Sequence, residues 1–130
     1  MDYRDQTIAQ FCSSIASTNV VPAGGSAAAV VGATGAALCE LTCIHTVEKE
    51  EFADVASDLA RAKADLERQR SVLLDLADRD AAAVEALLAA ADDETRASTA
   101  KRATGVPLAI AEACQTVLEQ AVVVTATGSP

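Results

Sequence analysis

Residues 55–87 read VASDLARAKADLERQRSVLLDLADRDAAAVEAL, and the fold follows from how this stretch is parsed. Val55, Leu59, Ala62, Leu66, Gln69, Leu73, Leu76, Asp80, Ala83 and Leu87 recur at alternating four- and three-residue steps. Such a seam is the buried stripe of a helix packed on other helices, so the spacing predicts one long helix over about 52–91. One member is out of place. A carboxylate on a buried stripe must lose hydration, so Asp80 is predicted either to be held by an arginine or a helix N-terminus, or to be kept for proton transfer.

Downstream, an acidic turn at 92–94 precedes a helix predicted from about Thr95. Its seam is Val106, Ile110, Ala113, Val117, Ala121 and Val124, with a kink expected at Pro107 beside Gly105. Upstream, the polar run 48–51 marks a corner. Before it lies an apolar helix with Ser26 as its expected N-cap and two flat rows, Ala28, Gly32, Ala36 and Ala29, Ala33, Ala37, which suit the central helix of a bundle. Residues 19–25, with Pro22 and Gly24-Gly25, interrupt the chain. Ile8, Phe11, Cys12 and Ile15 predict an amphipathic helix over about 2–17. Strand alternation is confined to 122–124, more economically read as a helix end. The expected class is all-α: a single domain over 1–130, an antiparallel helical bundle with short loops.

Composition narrows the function classes. The 130 residues are 51% hydrophobic, but that share is mostly alanine and valine, and Tyr3, Phe11 and Phe52 are the only aromatics. Small side chains allow helices to approach closely yet bury little area each, so the bundle is expected to be a homodimer. Nineteen acidic against 10 basic residues give a net charge of −9, which argues against nucleic acid or an anionic membrane surface as partner. The apolar run 27–39 is shorter than the ~20 residues of a membrane span and is closed by Glu40. The charged N-terminus lacks the apolar core of a signal peptide, and four scattered cysteines are expected to be reduced thiols in the cytoplasm. Cys39, Cys43 and His45 form a Cys-x-x-x-Cys-x-His run whose histidine falls on another helix face, so no metal site is expected.

Four motifs in order carry a family resemblance. Val21-Pro22-Ala23-Gly24-Gly25-Ser26-Ala27-Ala28-Ala29, followed by Gly32 and Gly35-Ala36-Ala37-Leu38, resembles the Pro-Gly-Gly-Gly-Ser-x-Ala-Ala start of the formiminotetrahydrofolate cyclodeaminase and methenyltetrahydrofolate cyclohydrolase family. Asp78-Arg79-Asp80-Ala81, with Arg70 and Leu73 upstream, is similar to its Asp-x-Asp-Ala segment. Val106-Pro107-Leu108 with Glu112 is similar to its Val-Pro-Leu segment, and Gly128-Ser129-Pro130 to its Gly-Asn-Pro. Ala23 stands where the family has the first of three glycines, and Glu48-Lys49-Glu50-Glu51 where it has a basic cluster. The family continues past Gly-Asn-Pro through a Ser-Asp segment and further helices, so this sequence is expected to be a shortened form.

The resemblance implies a dimeric helical bundle with its site in a cleft lined by the glycine-rich turn and the Asp segment. It implies a tetrahydrofolate derivative as substrate, without metal or redox cofactor, in one of two reactions: loss of ammonia from the 5-formimino form or hydrolysis of the 5,10-methenyl form. Both need a proton acceptor beside the one-carbon centre and a donor for the leaving nitrogen. Asp80 is the expected acceptor. Asp78 lies about 200° around the helix from it by the 3.6-residue period and is expected to orient a neighbour or meet the partner subunit, with a merely solvated carboxylate as the equal alternative. Gly24, Gly25 and Ser26 open a helix whose free N–H groups suit a folate carboxylate, and Lys49 suits a glutamate tail. The alternative is a dimerisation or binding module of the same fold whose cleft has decayed.

The charge balance generates a test. With only Lys49, Lys63 and Lys101 as lysines, the chain has the acidic, lysine-poor composition of a protein adapted to concentrated salt. Its thermal midpoint is expected to rise between millimolar and molar potassium chloride as self-repulsion is screened. A flat or falling midpoint removes the halophilic reading.

Overall fold

The computed structural model describes residues 2–127, and every regular element among them is helical. A short 3-10 turn, Tyr3–Asp5, leads to α1 (Ile8–Ile15). Then come α2 (Gly24–Val47), a 3-10 segment (Glu50–Val55), α3 (Ala56–Ala89) and α4 (Asp93–Thr127). Gly128-Ser129-Pro130 lies outside the described residues.

α3 forms where the seam predicts it, within a few residues at each end. Leu59, Ala62, Leu66, Leu73, Leu76, Asp80 and Ala83 are buried along one stripe. Ala, Leu, Glu, Arg and Lys fill the remaining positions, residues that lose little on becoming helical. α2 and α4 each pack on α3 more extensively than on each other, so α3, and not α2 as its flat rows implied, is the central helix. α2 supplies Ser26, Ala29, Ala33, Ala36, Glu40, Cys43 and Thr46 as its inner row. Ala28 and Ala37 face outward. The row of small residues brings the backbones together, and Gly32 shows how closely: a Cβ there would lie 2.8 Å from the Cys114 thiol and 3.2 Å from Leu73.

Glu40 sits in that inner row with its side chain only 8% exposed, and Arg70 of α3 closes on it with two bonds, Nε to Oε2 at 2.7 Å and Nη2 to Oε1 at 3.2 Å. The bidentate geometry offsets the cost of desolvating the carboxylate and sets the register of α2 on α3.

α4 begins two residues earlier than Thr95, because Asp92 caps it. Its carboxylate accepts the Thr95 amide at 2.7 Å and the Thr95 hydroxyl at 2.9 Å, and these bonds hold its pKa below the ordinary value. The helix runs through Pro107 without ending there. Pro107 is exposed, so the carbonyl it leaves without a donor is at the wet side of the helix, where the loss is least. The α4 seam is otherwise as predicted: Ile110, Ala113, Val117 and Val124 are buried.

The N-terminus departs most from expectation. The single helix over 2–17 is replaced by the 3-10 turn and an eight-residue α1, whose start is fixed by a capping box between Thr7 and Gln10. Of the predicted apolar face only Phe11 is buried, while Ile8, Cys12 and Ile15 are exposed. The segment is held by α3 instead: Arg4 donates to Asp75 at 2.7 Å and to the Ser71 carbonyl at 3.1 Å.

Apolar surface remains outside. Val31 and Leu38 lie opposite the inner row of α2, and Leu108, Leu118 and Val122 are exposed on α4. By length and composition both α2 and α4 are long and apolar enough to cross a membrane, with mean hydropathy of 1.7 and 1.3 over their most apolar stretches. The limit read from residues 27–39 is therefore corrected: the helix containing them is 24 residues long.

Candidate active site

The loop before α2 reaches the helix through a cis Val21-Pro22 bond, with Pro22 buried. The N-cap is Ala23, whose side chain has nothing to offer the first amides. A helix end left that way would carry unsatisfied donors. Asp80 meets one of them from α3: its Oδ2 accepts the Ser26 amide at 3.1 Å and lies 3.5 Å from the Ser26 hydroxyl. Ser26 is therefore not the N-cap. It is the third helical residue, fully buried, and its hydroxyl donates to the Ala77 carbonyl at 2.6 Å, one turn before Asp80. Gly25 makes room: a Cβ there would lie 2.5 Å from Asp80 Cγ and from both carboxylate oxygens.

This arrangement answers the anomaly on the seam. Asp80, 3% exposed, faces a helix N-terminus and not an arginine; Arg70, ten residues earlier on α3, is engaged with Glu40. The anion-binding end of α2 is thus occupied by the protein's own carboxylate, where the helix dipole favours negative charge. The expectation that Gly24, Gly25 and Ser26 hold a folate carboxylate is corrected on this ground for Ser26, whose amide is already bonded.

The other side of α3 opens on a cleft of about 180 Å³. Val21 and Pro22 of the loop wall one side, Asp78, Ala82 and Glu85 of α3 the other, and Tyr3 closes it from the N-terminal turn. Asp78 Oδ1 accepts the Tyr3 backbone N–H at 2.9 Å, so Asp78 does orient a neighbour. The Tyr3 ring packs edge-to-face on Phe11, centroids 5.2 Å apart. Burial, then the charges of Asp78, Glu85 and Asp80, push the Tyr3 phenol above its ordinary pKa, which keeps it protonated across the neutral range.

The structure therefore brings Gly25, Ser26 and Asp80 together in one cluster and puts Asp78 on the neighbouring cleft. Lys49 is not with them. It follows the far end of α2, on the order of 35 Å from Gly24 at 1.5 Å rise per residue, because a straight helix separates its two termini. Cys43 is buried in the core, Cys39 half-buried and His45 exposed, so the run does not converge on one point, and burial pushes both thiols up. Tyr3 and Glu85 were missed in the sequence. Glu85 shares a face with Asp78 at a seven-residue spacing, a signal that was present. Tyr3 had none, since its place depends on a chain reversal.

The family model for Formiminotransferase-cyclodeaminase matches residues 7–130, which include every motif quoted above. The chain belongs to this family. It is 34% identical to a methenyltetrahydrofolate cyclohydrolase of Methylorubrum extorquens over 96% of its own length. A crystal structure of formiminotetrahydrofolate cyclodeaminase from Thermotoga maritima superposes with a TM-score of 0.93 over 97% of the chain at 26% identity. The chain spans 66% of the first protein and 65% of the second. The helical cyclodeaminase fold is thus shared, and within it the glycine-rich turn and the Asp segment of this family member meet across the α2–α3 corner.

The corner makes a prediction whose sign reverses with background. Gly25→Ala ordinarily stabilises a helix position by about 0.4–1 kcal/mol through the unfolded chain. Here it is expected to destabilise, because the new methyl displaces the Asp80 carboxylate. In an Asp80→Ala background, itself expected to lose about 1–3 kcal/mol by stranding buried donors, the same change should become stabilising. Urea midpoints of the four proteins check this, and an effect of Gly25→Ala that is the same in both backgrounds would refute the assignment.

Proposed function

We propose that this chain carries the substrate cleft of a folate one-carbon enzyme, acting on 5-formiminotetrahydrofolate with loss of ammonia or on 5,10-methenyltetrahydrofolate by hydrolysis. The observation that supports it is the cleft itself. Two stretches far apart in sequence that carry the family likeness, the Val21-Pro22 turn and the Asp78 segment, wall one cavity.

In this reading Asp78, and not Asp80, is the acid/base group. Asp80 is buried against the α2 N-terminus, whereas Asp78 lines the cleft, with its Oδ1 accepting the Tyr3 amide. In the deamination, N10 attacks the carbon of the protonated formimino group, N5–CH=NH2+, which becomes an amine; Asp78 takes the N10 proton and returns it to that amine, and ammonia departs as the cationic methenyl bridge forms. In the hydrolysis, water adds to the methenyl carbon and gives a proton to Asp78. The carboxyl passes it to N5 as the C–N5 bond opens, and the remaining hydroxyl proton is released to solvent. Both sequences balance with protons alone, so neither requires a metal or redox cofactor.

The exposed apolar rows of α2 and α4 support a homodimer, in which a second copy covers what one bundle leaves in water. This assigns the length and apolarity of the two helices to subunit packing and not to a membrane. With a net charge of −9 and four cysteines that form no disulfide, the reading is a cytoplasmic protein with no nucleic-acid partner.

Two measurements test this reading. Asp78→Asn keeps an oxygen for the Tyr3 amide and removes the base, so turnover of either substrate is expected to fall by about 10²–10⁴-fold with binding of 5-formyltetrahydrofolate retained. Full activity in the variant excludes Asp78, and absence of both binding and turnover in the parent favours a decayed dimerisation module. Sedimentation in molar salt is expected to show a dimer at micromolar concentration; a monomer alone overturns the proposed assembly.

A further inference from the structure

The cleft is closed by a residue outside the family-matched region. Tyr3 precedes residue 7, where the match begins, yet it is anchored through both its backbone and its ring. Its amide is bonded to Asp78 at 2.9 Å, its ring rests on Phe11 at 5.2 Å, and the next residue, Arg4, is tied to Asp75 and to the Ser71 carbonyl. These anchors hold the residue against α3, and Tyr3 lines the cavity together with Pro22, Asp78 and Glu85.

The chemistry of the lining says which end of a folate enters. Asp78 and Glu85 are the charged groups there, and ionised carboxylates only accept hydrogen bonds. Such a wall repels an anionic glutamate tail and suits a ring edge rich in N–H donors. The volume agrees that only part of the molecule enters: a cavity of about 150 Å³ holds one benzene ring, so about 180 Å³ takes one ring edge of the substrate and not a whole folate. Between an aromatic face and a proline ring, a flat heterocycle is the fitting occupant.

On the folate reading above, we propose that Tyr3 is a further substrate-contacting residue, which stacks on the N–H-rich reduced pterin ring against Pro22 and directs its hydroxyl as a hydrogen-bond donor to that ring, with the glutamate tail outside the cleft. The phenol stays protonated at neutral pH, as a donor must. Asp78 has a second part in this arrangement, since the bond to the Tyr3 amide places the ring.

The sequence supplies the probe. Tyr3 is the sole tyrosine and there is no tryptophan, so a chain labelled with ring-¹³C tyrosine has one tyrosine signal set, belonging to Tyr3. Titration with 5-formyltetrahydrofolate is expected to shift these signals saturably, with the dissociation constant found by calorimetry. Tyr3→Ala is expected to weaken that constant by about five- to tenfold through loss of the aromatic contact. Tyr3→Phe should preserve the constant within about threefold and lower kcat. Calorimetric binding with unmoved Tyr3 signals, or with an unchanged constant in Tyr3→Ala, overturns the role of Tyr3 and leaves the folate reading intact. No calorimetric binding in the parent overturns the folate reading, and the Tyr3 inference with it.

Discussion

A buried carboxylate on a helix N-terminus organises this molecule. The first amides of α2 receive nothing from Ala23, and neither Pro22 before it nor Gly24 and Gly25 after it offers a side-chain acceptor. Asp80 supplies the acceptor from a different helix, and the absence of a Cβ at Gly25 lets it come close enough. A charge at a helix end contributes about 0.3–2 kcal/mol, towards the upper part of that range when desolvated. The bond also ties the start of α2 to a single point on α3, so the orientation of the preceding loop, and the cleft beside it, depend on it.

Around that point α3 divides its labour between two faces. Asp80 and Ala77 look toward α2 and are closed off, while Asp78, Ala82 and Glu85 look toward the cleft. Two aspartates separated by one residue are about 200° apart on a helix, so they inevitably serve different surroundings. Toward the other end of α2, the Glu40–Arg70 pair performs a related task, fixing α2 on α3 with a second charged contact. Two such contacts along one interface specify register in a way that flat rows of alanine do not, because alanines pack almost equally well when shifted by a turn.

The relation to the formiminotransferase-cyclodeaminase family gains physical content from this geometry. The proline-glycine turn and the Asp-x-Asp segment, separated by some 50 residues of sequence, are one structural unit. The glycine accommodates the second aspartate, and the first aspartate faces the cavity that the proline walls. The slender helices that make the close approach possible leave Val31, Leu38, Leu118 and Val122 in water, so the same composition that builds the corner also leaves apolar surface exposed.

The sequence by itself determined the helical class, the α3 and α4 seams, and the oddity of Asp80, because helical periodicity and the rarity of a carboxylate on a buried stripe are local properties. The family motifs were equally readable, being stretches of ordered residues. Tertiary structure alone decided that Asp80 caps α2, that Arg70 belongs to Glu40, that Lys49 stands a helix length away, and that Tyr3 closes the cleft. Each of these is a pairing across tens of residues. Periodicity says which face of a helix is buried, but which residue of a neighbouring element meets it is set by the chain reversals at 16–23, 48–55 and 90–92, whose geometry depends on the contacts they create.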